Sequence, residues 1–137
     1  MKNVLLLFLL LTAKYSVVTA QQTKHQIVFQ LITADTTAHK AFVKQLNNIY
    51  QVAPTADIKV VVHGPGLDML SSSKSIVGNQ LKTAAERGVV FEVCEFSMKE
   101  RKVEKSMLFS FAQYTPAGII RIVELQEQGF SYIKAGF

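Results

Sequence analysis

The sequence predicts an α/β fold: a three-layer α/β/α domain with a mostly parallel sheet of about five strands. Three observations support this class. Strand-like and helix-like segments alternate along the chain, as in βαβ units. The strand-like segments are short, apolar and rich in β-branched residues, which is typical of strands covered on both faces. The 137 residues are 49% hydrophobic with one cysteine, enough to bury a core without disulfide or metal staples.

The amino-terminal half predicts two strands and one helix. The first strand covers Gln26–Ile32 and the second covers Ile58–His63. Between them, Asp35 or Thr36 can cap a helix that ends at Pro54. The helix has one apolar stripe at spacings of three and four residues, made of Ala38, Phe42, Leu46 and Ile49.

The carboxyl-terminal half continues the alternation. A helix over Asn79–Arg87 ends at Gly88, and a buried strand leads to Cys94. Thr115-Pro116 supplies a cap and a proline for the first turn of a helix that runs through Gln128. The remaining predicted elements are a short helix over Met98–Val103, a weak strand within Leu108–Tyr114 and a last strand over Ser131–Lys134.

Met1–Ala20 is predicted to be a secretory signal peptide. Lys2 gives a positive start, an apolar run follows, and small residues precede Gln21. A membrane anchor is the alternative, but Lys14 interrupts the segment and the apolar run is shorter than a spanning helix needs. We therefore expect a periplasmic or secreted protein whose single domain covers residues 21–137, with no stable membrane anchor after cleavage.

The charge pattern argues against nucleic acid as a partner. Loss of Met1–Ala20 removes Lys2 and Lys14, so the formal net charge falls from +5 to +3. The richest basic stretch, Lys99–Lys105, is interleaved with glutamates and is typical of a solvated helix face.

In parallel sheets, ligands bind beyond the carboxyl ends of the strands. This rule selects Thr33–Asp35, His63–Gly66 and Cys94–Ser97. Cys94 has no internal disulfide partner, so it is either a reactive thiol or a small buried residue. The start of a helix nearby would lower its pKa, while Glu95 would raise it.

His63 is a candidate activator of the Cys94 thiol, because the two residues end neighbouring predicted strands. A histidine bonded only to its own loop is the alternative. These two residues are too few for a closed zinc site, so we expect no metal. Gly64-Pro65-Gly66 begins like a dinucleotide fingerprint, but Met69 stands where the third glycine belongs, so we interpret it as a tight turn and expect no cofactor.

Four segments together resemble the DsrE/DsrF-like family over nearly the whole chain after residue 20. They are Lys59–Gly66, Gly88 to Cys94, Pro116-Ala117-Gly118 and Leu125–Lys134. The resemblance implies a flavodoxin-like domain that assembles into homo-oligomers such as trimers or hexamers. For some members it also implies a cysteine that carries sulfur as a persulfide in a relay, and by position Cys94 is the candidate sulfur carrier. In the exported, stand-alone branch Glu-Asn-Thr or Glu-Asn-Ser often follows this cysteine, whereas here Phe96 replaces the asparagine.

Two hypotheses for the function follow. In the first, a donor protein places sulfur on Cys94 and an acceptor removes it, with His63 assisting the thiol. In the second, the chain is a non-catalytic, oligomeric binding or assembly module with a buried structural cysteine. Homo-oligomerisation is also suggested by the apolar residues that crowd the carboxyl half: Met107, Leu108, Phe109, Phe111 and Phe137.

Overall fold

Five strands form one sheet in the order β4-β3-β2-β1-β5, and every neighbouring pair is parallel. The computed structural model describes residues 24–136, so the predicted signal peptide and Phe137 lie outside the described residues. The strands are β1 (Gln26–Leu31), β2 (Asp57–Val62), β3 (Val90–Cys94), β4 (Gln113–Thr115) and β5 (Ser131–Ala135). The predicted α/β class is confirmed.

Four α-helices connect the strands, together with 3-10 helices at Gly64–Leu70 and Lys105–Met107. The α-helices are α1 (Thr36–Val52), α2 (Gly78–Glu86), α3 (Glu95–Arg101) and α4 (Gly118–Glu127). Within residues 24–136, no helix is long and apolar enough to cross a membrane.

The strand order determines which helices cover which face of the sheet. The connections from β1 to β4 step in one direction, so right-handed crossovers put α1, α2 and α3 on one face. The chain then returns to the opposite edge, which puts α4 on the other face. Two separate apolar clusters agree with this arrangement: a large one that includes Phe29 and Phe91, and a small one of Val28, Val61, Ile122, Leu125 and Phe130.

The central strands form because their side chains are buried on both faces. Val60, Val61 and Val62 are fully buried, although successive side chains point to opposite faces. Val60 and Val62 belong to the large cluster, while Val61 packs in the small cluster under α4. A continuous β-branched run therefore corresponds to a strand that is buried on both faces, as predicted.

Three predicted boundaries are wrong in the carboxyl half. Helix α4 begins at Gly118 with Ala117 as its N-cap, because Thr115 instead pairs with Cys94 in the sheet. Helix α3 begins directly after Cys94 rather than at Met98. The fourth strand is limited to Gln113–Thr115, and Leu108 forms only an isolated antiparallel bridge with Ser71.

Gly78 occupies the first position of α2 because of close packing. A β-carbon there would lie 2.5 Å from Cζ of Phe109, well inside van der Waals contact. A glycine weakens a helix, and here the missing side chain allows the close approach of an aromatic ring.

The apolar residues of the segment 108–111 pack against the large cluster instead of forming an exposed patch. Leu108 is buried, and Phe109 and Phe111 stack on each other with ring centroids 5.3 Å apart. Among the residues that suggested an oligomer interface, Met107 is exposed and Phe137 lies outside the described residues. These side chains therefore no longer support the prediction of an oligomer.

Candidate functional site

Cys94 lies where three elements meet. It is the last residue of β3, it pairs with Thr115 of β4, and it is the N-cap of α3. Cys94 is 5% exposed to solvent. The thiol is therefore nearly enclosed at the carboxyl edge of the sheet, the edge that the sequence selected.

Helix α4 presents its first N–H group to the thiol. The N–H of Gly118 donates a hydrogen bond to Sγ of Cys94, with an N–S distance of 3.2 Å. A β-carbon at Gly118 would lie 3.1 Å from Cβ of Cys94, 3.3 Å from Cγ1 of Val61 and 3.5 Å from Cβ of His63. The absence of a side chain at Gly118 is what allows this close approach of helix and sheet.

The surroundings favour the thiolate form of Cys94. Burial is the largest single influence and raises the pKa of the thiol. Hydrogen bonds act in the opposite direction, first from the backbone of Gly118, then from the backbone and hydroxyl of Ser97 and the backbone of Phe96. Together they outweigh burial, so the pKa of Cys94 lies below its ordinary value. The neighbouring Glu95 carboxylate pairs with Lys105 at 3.0 Å.

Ser97 also joins the two predicted loops. Its buried hydroxyl accepts a hydrogen bond of 2.9 Å from the N–H of Gly64, the residue after His63. The segment after β2 and the segment after β3 are thus held together. His63 and Cys94 approach the same point, the start of α4 at Gly118.

His63 is held by a side chain that the sequence did not single out. Nε2 of Gln30 lies 2.7 Å from Nε2 of His63, and the hydroxyl of Tyr132 donates a hydrogen bond to Oε1 of Gln30. Gln30 is on β1 and Tyr132 is on β5, so three adjacent strands contribute to the arrangement. Burial of the imidazole lowers the pKa of His63 and favours its neutral form.

The third predicted place, Thr33–Asp35, has a structural role. Asp35 caps α1 by accepting a hydrogen bond of 2.8 Å from the N–H of Thr37. The carbonyl of Thr33 contacts Nε2 of the buried His39 at 2.8 Å. This segment therefore fixes the start of α1, and the site is formed by the other two predicted segments.

Gly64-Pro65-Gly66 opens a 3-10 helix rather than an isolated tight turn. A β-carbon at Gly66 would lie 2.5 Å from the carbonyl oxygen of Leu31, so this glycine packs directly on the end of β1. Among residues 24–136, no group of three or more histidine, cysteine, aspartate or glutamate side chains is arranged to hold a metal ion.

The sequence model of the DsrE/DsrF-like family matches residues 12–135. The chain belongs to the DsrE/DsrF-like family. This match includes every segment on which the sequence resemblance was based, and it extends into the predicted signal peptide. No curated protein matches this chain.

Two solved structures share the DsrE/DsrF-like fold. A protein of unknown function from Methanobacterium thermoautotrophicum, MTH1491, aligns with a TM-score of 0.77 and 20% identity, covering 81% of this chain and 99% of that chain. The YchN protein of E. coli aligns with a TM-score of 0.67 and 10% identity, covering 80% of this chain and 98% of that chain. These similarities show the shared fold.

In this DsrE/DsrF-like chain, Gly118→Ala is expected to raise the pKa of Cys94 and to slow its alkylation near neutral pH. Gly118 does not have a positive φ, so the effect is steric: the new methyl group would push α4 away from Cys94 and lengthen the N–H···S bond. Each unit of pKa changes the thiolate fraction about tenfold. The measurement is the rate of iodoacetamide labelling against pH.

Ile119→Ala provides the matched control for Gly118→Ala. Ile119 is 55% exposed on the same turn of α4, so its truncation leaves the contact with Cys94 in place. We expect the labelling profile of this variant to follow that of the wild type. Equal profiles for Gly118→Ala and the wild type would show that the Gly118 N–H does not influence the thiol.

Proposed function

We propose that this protein is a thiol-based sulfur carrier in which Cys94 holds the transferred sulfur as a persulfide. The observation that carries the proposal is the hydrogen bond from the Gly118 N–H to Sγ, because a donor at the sulfur stabilises the thiolate. The lowered pKa of Cys94 is consistent with this role, as is membership of a family that includes sulfur-relay proteins.

Loading begins with attack by the Cys94 thiolate on the outer sulfur of a donor persulfide, R–S–SH. A bond forms between Sγ and that sulfur as the sulfur–sulfur bond of the donor breaks. The products are a Cys94 persulfide and the donor thiolate, R–S⁻. The proton of the transferred SH group stays with its sulfur, and no external oxidant is required.

Unloading is the same exchange with an acceptor. The acceptor thiolate attacks the outer sulfur of the Cys94 persulfide and takes it, leaving the Cys94 thiolate ready for another cycle. The hydrogen bond from Gly118 stabilises this leaving group, because it favours negative charge on Sγ. His63 lies beside the same helix start, where an imidazole can assist the thiol or the outer sulfur.

The deciding experiment is native mass spectrometry of the purified, folded protein after incubation with glutathione persulfide. We expect a mass increase of one sulfur atom that a thiol reductant removes. The increase should map to Cys94 after digestion. A folded protein that gains no sulfur from this donor would contradict the carrier function.

A second function, an assembly or binding module with a structural cysteine, is favoured by the 5% exposure of Cys94. In that case the thiol serves as a small buried side chain. Labelling across pH separates the two functions. A structural thiol reacts only when the protein unfolds, whereas a carrier thiol reacts in the folded protein.

We also propose that the protein is exported and forms homo-oligomers. Support for association now comes from exposed aliphatic residues on α4, where Ile119, Ile120 and Val123 are 55%, 57% and 44% exposed. Exposed apolar side chains in one place are typical of an interface. Light scattering should therefore show an assembly larger than one chain, and a monomer at micromolar concentration would contradict it.

A further inference from the structure

The Gln30 side chain contacts His63 at one ring nitrogen, Nε2. The amide nitrogen of Gln30 is a hydrogen-bond donor and cannot accept. In the orientation that the structure shows, it faces Nε2 of His63 at 2.7 Å, and Nε2 then supplies a lone pair. The single proton of the neutral imidazole is therefore on Nδ1.

Tyr132 contacts the oxygen of the Gln30 amide. Its hydroxyl donates to Oε1 of Gln30, which leaves Nε2 of Gln30 to face the imidazole. Gln30 is directly opposite Lys134 in the pairing of β1 with β5. The amide of Gln30 is bonded to a side chain on β5, the strand at the edge of the sheet.

The same contact resists protonation of His63. An imidazolium carries a proton on both nitrogens, so its Nε2–H would face the N–H groups of Gln30. Cβ of His63 and Cβ of Cys94 both lie beside Gly118 at the start of α4. The charged groups further along α4 and β3 are Arg121 and Glu92, which pair with each other. Burial lowers the pKa of His63 in the same direction.

We propose that Gln30 is a positioning residue that fixes His63 as the neutral Nδ1–H tautomer, so that His63 serves Cys94 as a hydrogen-bond donor and not as a proton acceptor. The donor role rests on the sulfur-carrier function proposed above. It assigns the Nδ1–H group to the outer sulfur of the Cys94 persulfide during transfer. The thiolate itself is then generated by the backbone donors around Sγ rather than by His63.

The first test observes the imidazole directly by ¹⁵N NMR of the full chain with labelled histidine. The His63 signals are identified by their loss in His63→Ala. We expect a protonated-type shift at Nδ1 and an unprotonated-type shift at Nε2. A wild-type ring protonated at Nε2 would overturn the proposal.

Gln30→Glu should reverse the arrangement. A carboxylate only accepts, so Nε2 of His63 must become the protonated nitrogen, and the negative charge should raise the pKa of His63 by about one unit or more. Gln126→Glu is the matched control, because Gln126 lines the same groove of about 230 Å³ as Gln30 and Tyr132. An unchanged tautomer and pKa in Gln30→Glu would overturn the proposal.

Tyr132→Phe tests the same point without placing a charge near the core. Tyr132 is 41% exposed, so the variant should fold even if Gln30→Glu does not. Loss of the hydroxyl frees the amide of Gln30 to rotate, and we expect both tautomers of His63 in the spectrum. A single Nδ1–H tautomer in this variant would show that Tyr132 does not orient Gln30.

Sulfur transfer supplies a readout that a purely structural role would not change. For the wild type we expect no His63 ionisation in the pH profile of unloading between about pH 6.5 and 8. Gln30→Glu should introduce one, and a wild-type profile with that ionisation would overturn the donor role. If the tautomers are as expected but Cys94 gains no sulfur, the carrier function is contradicted while the positioning of His63 by Gln30 stands.

Discussion

Cys94→Ser is expected to abolish sulfur loading completely while the protein stays folded. A serine hydroxyl does not ionise near neutral pH and forms no persulfide, so the mass increase should disappear. The fold should survive because Oγ of serine can accept the hydrogen bond that Sγ accepts from Gly118. We expect a change of about 1 kcal/mol in the free energy of unfolding.

Ser97→Ala is compared with Cys94→Ser because it should slow sulfur loading without abolishing it. Ser97 lowers the pKa of Cys94 through its hydroxyl and its backbone, and only the hydroxyl contribution is lost on substitution. Loading should therefore become slower but should still occur. Both variants are measured by native mass spectrometry after the same treatment with glutathione persulfide. Sulfur retained on the folded Cys94→Ser variant would place the carrier atom elsewhere in the chain.

The central strands could be predicted from the sequence because burial on both faces leaves a direct signal. A run such as Val60–Val62 is apolar at every position, and all three side chains are fully buried. Strand β4 has no such signal. Only Thr115 of its three residues is buried, so the strand is defined by pairing with β3 rather than by its own periodicity.

The error in the predicted start of α4 has a related cause. Thr115-Pro116 has the local pattern of a helix cap, but Thr115 is paired in the sheet and the carbonyl of Pro116 accepts a hydrogen bond from the N–H of Phe96. Tertiary pairing therefore displaces the start of the helix to Gly118. That displacement is what brings the Gly118 N–H to Cys94.

The sequence revealed two residues of the site, Cys94 and His63. Both have reactive side chains and both lie at strand ends. Gly118 acts through its backbone N–H, which no side-chain pattern reports. Gln30 can contact both His63 and Tyr132 because β1 lies between β2 and β5, and this strand order cannot be read from the sequence. The one feature of the sequence that points to Gln30 is that it is a polar residue within the apolar run that ends at Ile32.

Arg121→Met is expected to have the largest effect on stability. Glu92 on β3 is 5% exposed, and its carboxylate accepts hydrogen bonds from Nε and Nη2 of Arg121 at 2.6 and 3.0 Å. Removal of the guanidinium leaves a buried carboxylate without its partner. Breaking a buried pair in this way costs about 3–5 kcal/mol, which chemical denaturation of the folded protein measures.

Two comparisons separate the buried charge from other effects of Arg121→Met. Lys105→Met breaks the exposed pair with Glu95, whose side chains are 59% and 43% exposed, and should cost less than about 1 kcal/mol. The double variant Glu92→Gln, Arg121→Met removes the charge and its partner together, so it should recover most of the lost stability. Equal losses for the single and double variants would show that the cost does not come from the unpaired carboxylate.

The same pair connects stability to the site, because α4 is the helix that covers this face of the sheet and also carries Gly118. Arg121 is three residues after Gly118, and its contact with Glu92 holds the first turn of α4 against β3. Arg121→Met should therefore loosen the Gly118 N–H from Sγ and raise the pKa of Cys94. The pH profile of iodoacetamide labelling, recorded well below the denaturation midpoint, measures this effect. A profile unchanged in Arg121→Met would show that the Glu92–Arg121 pair stabilises the fold without positioning α4 at the thiol.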